Sequence, residues 1–358
     1  MIHVTKTFLP PQEEYNTILK RAWDKGWLTN RGELVLELES KLKDYLGVKN
    51  VIAMTNGTLP IQIAIKALGL KGEIITTPFS YVATTSSIVW EGCTPVFVDI
   101  DPDYLTIDET KIEAAITEHT SGILATHVYG NPCNVEAIEI IAKKYHLKVI
   151  YDAAHCFGVR YKGQSIFNYG DISTCSFHAT KIFHTGEGGA AFCNNNTYEA
   201  VYYAHNFGHD GPDKFNGLGI NAKMSELQAA MGLCNYKYID SLIDKRKEQY
   251  AEYQKQLESC VKTLKLRTDT IHNNSYFPII LKSEDQCLKL MEEMKLNKIF
   301  PRRYFYPSLN KLGYVEDYSC PISEKTASRI LCLPLYDSLS LEDQKLIVDI
   351  VKKTTDGQ

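Results

Sequence analysis

The chain has 358 residues, 44% hydrophobic and 23% charged, with a formal net charge of −4. That balance fits a globular protein with room for a large domain and a smaller one, and excludes a disordered or fibrous chain. The absence of a basic block argues against nucleic acid as the main partner, and no apolar run approaches the roughly 20 residues of a membrane span. Ten cysteines are scattered singly with no C-x-x-C pair, the pattern of buried thiols in a reducing compartment rather than of disulfides or a zinc site. The first residues, Met1 to Lys6, lack the apolar core of a signal peptide, so the expected location is the cytoplasm.

In chain order, residues 33–45 read as an amphipathic helix, so the N-terminal segment up to about Tyr45 is expected to pack against the smaller domain or a partner subunit. From about residue 51 to 194, β-rich apolar runs alternate with helical patterns. Strands are expected at 51–54, 74–76, 95–98, 123–126, 149–151, 174–177 and 189–193. Helices are clearest at 60–68, 82–90 and 135–145. Such alternation predicts a mainly parallel sheet with helices on both faces, and ligands at the carboxyl ends of its strands. A long helical region is expected after Asn221, to about residue 264. A strand at 276–281 and a helix at 284–296 then indicate a smaller α+β domain. The expected division is residues 1–240 for the N-terminal segment and large domain, and 241–358 for the small domain.

The densest chemistry lies in Ser176-Phe177-His178-Ala179-Thr180-Lys181, followed by Gly186-Glu187-Gly188-Gly189. Most lysines are surface charges. Lys181 differs because it sits at a strand end, before a glycine turn that lets backbone approach a ligand. In a desolvated pocket such an amine is expected to lose basicity and become a nucleophile toward aldehydes. Asp152 ends another apolar run. One lysine plus one carboxylate at strand ends is the minimum equipment for pyridoxal phosphate: the amine forms the Schiff base, and the carboxylate keeps the pyridine nitrogen protonated. Thr55-Asn56-Gly57-Thr58 opens a helix whose free N–H groups and Thr58 hydroxyl suit a phosphate, although alone it reads as a plain helix cap. His155 and Tyr81 alone read as core residues; beside Asp152 and a flat ring, they read as a hydrogen-bonding and a stacking partner. His205 and His209 are spaced by four, but Gly208 disfavours a helix and no acidic third ligand follows, so no metal site is expected.

Together with Gly26-Trp27-Leu28-Thr29-Asn30-Arg31-Gly32, His127-Val128-Tyr129-Gly130, Gly219-Ile220-Asn221 with Met224 and Gln228, and Leu333-Pro334-Leu335, these motifs resemble the sugar-nucleotide aminotransferases of the DegT/DnrJ/StrS family along nearly the whole chain. The resemblance implies the aspartate-aminotransferase fold (PLP fold type I), a large mixed-sheet domain plus a small α+β domain, and a homodimer with shared sites. It implies pyridoxal phosphate, with pyridoxamine phosphate as its aminated form, a nucleotide-linked keto sugar and L-glutamate as amino donor. Carried over by position, Lys181 is the Schiff-base lysine and proton shuttle, and Asp152 the partner of the ring nitrogen. Gly57, Thr58 and Ser176 hold the phosphate, with Asn221 reaching in from the other subunit. Tyr81 stacks on the ring. His155 stands where many members have glutamine. Trp27, Thr29, Asn30 and Glu187 fall among the substrate contacts. The S-F-H-x-x-K…E-G-G form resembles enzymes that aminate C4 of the sugar, and Asp152-Ala153-Ala154-His155 resembles those making dTDP-4-amino-4,6-dideoxyglucose. The rival readings are C3 amination, a UDP-sugar substrate and a non-catalytic PLP-binding regulator.

Overall fold

The computed structural model describes residues 1–316 and 318–356. The chain begins with β1 (Ile2–His3), α1 (Gln12–Lys25) and α2 (Glu33–Leu46). Strands and helices then alternate through β2 (Asn50–Met54), α3 (Leu59–Ala67), β3 (Glu73–Thr76), α4 (Val82–Trp90), β4 (Thr94–Phe97), β5 (Thr120–Thr126), α5 (Val135–Tyr145) and β6 (Lys148–Asp152). A short pair, β7 (Arg160–Tyr161) and β8 (Gln164–Ser165), precedes β9 (Ile172–Ser176), β10 (Gly189–Cys193) and α6 (Asn195–Ala204). After α7 (Glu226–Tyr236) and α8 (Ile239–Leu257) come β11 (Lys262–Thr263), β12 (Thr270–Ile271), β13 (Phe277–Ile280), α9 (Glu284–Leu296), β14 (Ile299–Phe300), α10 (Pro321–Arg329), β15 (Ile330–Leu333) and α11 (Leu341–Asp356).

Seven strands form the central sheet in the order β2-β10-β9-β6-β5-β3-β4. β10 runs antiparallel to both neighbours, and β9, β6, β5, β3 and β4 run parallel to one another. Successive residues of β2 point to opposite faces, as a pleated strand requires. Val51 and Ala53 join the core under α2 and α7, with Leu34, Leu38 and Leu233. Ile52 and Met54 join the core under α3 and α6, with Ile63, Ala64 and Val201. Burial on both faces explains why these strands read as continuous apolar runs in the sequence.

Two expectations need correction. The N-terminal segment is divided: its helix α2 packs on the large domain of its own chain, with the stripe Leu34, Val35, Leu38 and Leu42 buried beside β2 and α7. At this end of the chain it is β1 that reaches the small domain, pairing with β14. The long helical region is two helices, and it stops at Leu257. α7 begins at Glu226, because a Ser225–Gln228 capping box satisfies its first donors there. The small domain is an α+β unit: the antiparallel sheet β11-β13-β15 shares a core with α8, α9 and α11 through Tyr253, Phe277, Leu290, Leu331 and Val351. Among the described residues no helix is long and apolar enough to cross a membrane.

The entry into α2 depends on one buried carboxylate. Glu226 accepts from the Leu34 N–H at 2.8 Å and the Val35 N–H at 3.1 Å, and its own N–H donates to the Leu28 carbonyl at 3.0 Å. These are donors that a helix start leaves unmet, and the carboxylate sits at the positive end of the helix dipole. Glu226→Ala is expected to destabilise the fold by about 2–4 kcal/mol, since it unpairs two buried N–H groups and leaves a void. Glu226→Gln, which keeps one acceptor, should cost less. Urea unfolding of the two variants checks the order, and wild-type stability in the alanine variant would contradict the capping role.

Candidate active site

Three chain segments converge at the carboxyl ends of the parallel strands. β2 runs into Thr55–Thr58, β6 ends at Asp152, and β9 ends at Ser176. β10 is registered so that Gly189 lies opposite both Met54 and Ser176. The approach is close. A Cβ on Gly189 would stand 2.3 Å from the Asn56 carbonyl oxygen, and one on Gly57 would stand 2.6 Å from the Ser176 Cβ. The excursion between β9 and β10, which carries Lys181, is tied at its neck: the Phe177 N–H donates to the Gly188 carbonyl at 2.8 Å, and the Thr185 N–H to the Phe177 carbonyl at 2.9 Å.

Asp152 is buried. Its Oδ2 accepts from the Thr84 hydroxyl at 2.6 Å and its Oδ1 from the Ala154 N–H at 3.1 Å, while Thr84 is bonded in turn to Ser80 at 2.7 Å. Burial raises the Asp152 carboxyl above its ordinary range; Thr84, the Ala154 N–H and the Lys181 charge oppose that rise. Lys181 Nζ donates to the Tyr276 hydroxyl at 3.2 Å. Lys181 and Asp152 feel each other's charge, yet among the described residues they form no ion pair within 4.0 Å. An amine and a carboxylate therefore face one site without touching, which leaves space between them.

The expected loss of basicity at Lys181 is not what this environment gives. Burial pulls the ammonium down, but Tyr276, Tyr304 and Asp152 outweigh it and leave the amine above its usual value. Desolvation alone was the wrong guide, because the pocket that dries the lysine also surrounds it with groups that favour its charge.

His155 follows Asp152 by three residues. Its Nδ1 accepts from the Tyr129 N–H at 3.1 Å, which in the neutral ring leaves the proton on Nε2. Burial, then the nearby Lys181 charge, hold it well below its ordinary value, so the ring is neutral. It stacks on Phe305 at 5.6 Å, and Phe305 stacks on Tyr129 at 5.8 Å.

The structure brings Lys181, Asp152, His155, Gly57 and Ser176 to one place, with Thr58 beside them. The plain-cap reading of Thr55–Thr58 holds in part: Asn56 Oδ1 takes the Thr58 and Leu59 N–H groups, each at 2.9 Å. The Gly57 N–H and Thr58 hydroxyl have no partner among the described residues. Tyr81 precedes α4 and is exposed. Asn221 is exposed and bridges Asn206, while the neighbouring Ala222 carbonyl accepts from the Thr55 N–H at 2.9 Å. Asn221 is not the cap of α7, a place Ser225 fills. Trp27, Thr29 and Asn30 are exposed on the α1–α2 loop, outside the cavity beside Lys181, and Glu187 is exposed opposite His178 at 3.7 Å. Sequence reasoning assigned no role to Thr84, Gln228 or Tyr276. Gln228 Nε2 joins two loops of the site, donating to the Thr55 carbonyl at 3.0 Å and the Glu187 carbonyl at 2.7 Å. Thr84 had a signal in the sequence, its place in Tyr81-Val82-Ala83-Thr84, which is one of the pieces that resemble the family, and its i, i+4 spacing from Ser80 would have added to it. Tyr276 had none, since it meets Lys181 across 95 residues.

A family model described as the DegT/DnrJ/EryC1/StrS aminotransferase family matches residues 11–352. The chain is 42% identical to a dTDP-4-amino-4,6-dideoxy-D-glucose transaminase of Shigella dysenteriae, over 98% of each chain. It is 39% identical to a protein of the same name from Escherichia coli, over 98% of this chain and 97% of that one. The solved structure of DesI in the presence of its TDP-sugar product superposes with a TM-score of 0.94 at 31% identity, covering 99% of this chain and 93% of that one.

The buried histidines around this region generate a pH prediction. Burial lowers His127 to about 3 and His205 to about 4, and it also lowers His155, His184 and His272. Unfolded imidazoles take up protons near pH 6.5 where these folded ones do not, so their stabilisation is full above that pH and is lost as pH falls. Asp152 and Glu39, raised by burial, act in the opposite direction but are fewer. Stability is therefore expected to fall between pH 7 and pH 5, read as a lower urea midpoint with an unchanged slope. An equal or higher midpoint at pH 5 would contradict the neutral, buried state of these rings.

Proposed function

This chain belongs to the DegT/DnrJ/EryC1/StrS aminotransferase family, and from that premise we propose that it moves an amino group from L-glutamate to C4 of dTDP-4-keto-6-deoxy-D-glucose, giving dTDP-4-amino-4,6-dideoxy-D-glucose. The observation that carries the chemistry is the buried Asp152 carboxylate facing the same site as the Lys181 amine without pairing to it. The names of the two transaminases at 42% and 39% identity support the substrate.

The residues fit pyridoxal phosphate. Lys181 would bind its aldehyde carbon, and Asp152, braced by Thr84, its ring nitrogen. The Gly57 N–H, the Thr58 hydroxyl and Ser176 would hold its phosphate, with Asn221 crossing from the second subunit of a homodimer. Tyr81 would cover one ring face, and His155 would lie beside the ring with its Nε2–H as donor. Once bound, the cofactor supplies an electron sink through which an amino group passes from donor to keto carbon. The chain's own part is to place and to move protons. Lys181 Nζ takes a proton from Cα of the donor and returns one to C4 of the sugar. Asp152 keeps a negative charge where it favours a protonated ring nitrogen. Trp27, Thr29, Asn30 and Glu187, exposed in one subunit, are open to contact the nucleotide sugar.

Asp152→Asn keeps size and shape but removes that charge, so turnover should fall by several orders of magnitude. A loss below roughly tenfold, only about 1.4 kcal/mol of barrier, would remove Asp152 from this role. In the same assays a panel of dTDP-, UDP- and GDP-keto sugars, with NMR of the product, tests the substrate. An amine at C3, or preference for another nucleotide, would overturn it.

The shared site has a separate test. Lys181→Ala and Asn221→Ala subunits, each impaired alone, are mixed and allowed to exchange. If Asn221 serves the neighbouring site, a hybrid dimer has one site with both defects and one with neither, and activity rises above either parent. If Asn221 serves its own subunit, every hybrid site carries one defect and exchange rescues nothing.

A further inference from the structure

We propose that Tyr276 is a positioning residue for Lys181: its phenol oxygen holds the lysine amine whenever that amine is free, and so keeps it aimed at the site. Tyr276 Oη is the sole hydrogen-bond partner of Nζ among the described residues, at 3.2 Å. A phenol both donates and accepts, so it serves the amine charged or neutral, as a proton carrier requires. Phenylalanine could do neither.

Tyr276 is itself held from several sides. It is 5% exposed. Its ring meets the edge of His155 at 4.8 Å and of Tyr304 at 5.6 Å. The residues before it are tied to the large domain: Ser275 Oγ and Asn273 Nδ2 each donate to the His155 carbonyl at 2.8 Å. A cavity of about 10 Å³ beside Nζ, lined in part by His155, Asn273, Ser275 and Tyr276, has room for about one water molecule.

The titratable groups facing Lys181 are Asp152 at the end of β6, His155 just beyond it, Cys175 on β9, and Tyr276 and Tyr304. Tyr276 is the largest of the influences that raise the amine against its burial. Removing the hydroxyl should let burial dominate and move the amine's titration to lower pH.

The inference rests on Lys181 being the reacting amine of the proposed function, and its test is independent of turnover. The full chain, freed of cofactor, is pulse-labelled with acetic anhydride across a pH series, and acetylation at Lys181 is read by peptide mass spectrometry. In Tyr276→Phe the midpoint should fall by about one pH unit, a tenfold change in proton affinity. Tyr304→Phe, which removes no hydrogen bond to Nζ among the described residues, should move it less. With cofactor and both substrates, Tyr276→Phe should lower kcat about tenfold and leave both KM values unchanged. An unmoved midpoint in a variant that melts like wild type would overturn the proposal, as would a fall in kcat without that movement, which marks a packing role only. Full activity in Lys181→Ala would instead overturn the proposed function, and the labelling comparison would still report on the hydrogen bond.

Discussion

The site exists because three backbones come closer than side chains allow. β10 enters the sheet antiparallel between β2 and β9, and its first residue, Gly189, is pinned to the last residues of both. With Gly57 packed on Ser176, this fixes the Thr55–Thr58 loop, the end of β9 and the Lys181 excursion as one rigid corner. Either glycine would collide with backbone or with a short, fixed side chain if it carried a Cβ. Both steric demands therefore fall where the chemistry is assembled, while the rest of the sheet follows ordinary alternation of faces. A parallel sheet alone would offer strand ends and helix starts. The inserted antiparallel strand is what turns the chain back and sets an amine among them.

That corner holds charge in a place where charge is costly. A buried ion is tolerated only when its lone pairs or protons are met. Asp152 is met by a hydroxyl from α4 and a backbone N–H, and that hydroxyl is itself held by Ser80. Lys181 is met by a phenol rather than by Asp152. Had the two paired directly, the gap between them would have closed. Separate partners keep the two groups apart, which is the state a flat, polar ring between them would need.

The parts of this arrangement that were legible in the sequence are the local ones. The strands were readable because burial on both faces makes continuous apolar runs. α4 and α5 were readable from their periodicity, and Lys181 and Asp152 because a titratable group at the end of such a run is uncommon. What escaped was long-range. The seat of α2 is decided by Glu226, some 190 residues away from the N–H groups it accepts from. The start of α7 follows from capping at Ser225, and its division from α8 from a break at Lys237 and Tyr238, rather than from composition, which stays helix-forming throughout. The basicity of Lys181 depends on Tyr276, whose place beside β13 says nothing of the lysine until the two domains are packed together.

The segment that carries the phenol has its own anchor within the small domain, and it explains why the phenol stays where it is. Arg246 is buried, and its guanidinium donates to the carbonyls of Ser275 at 3.2 Å and Leu335 at 2.9 Å. Burial lowers it to about 10, so it keeps its charge at neutral pH. A buried cation that meets carbonyl dipoles is expensive to expose or to shift, because every displacement leaves donors unmet. The segment 273–276 is thus clamped from behind by Arg246 and in front by the His155 carbonyl. Moving the small domain away from Lys181 would break the bonds of Asn273 and Ser275 to the His155 carbonyl, while those of Arg246 would move with the small domain. The exposed loops are tied too, Leu28 through its carbonyl to the Glu226 N–H and Ala222 through its carbonyl to the Thr55 N–H.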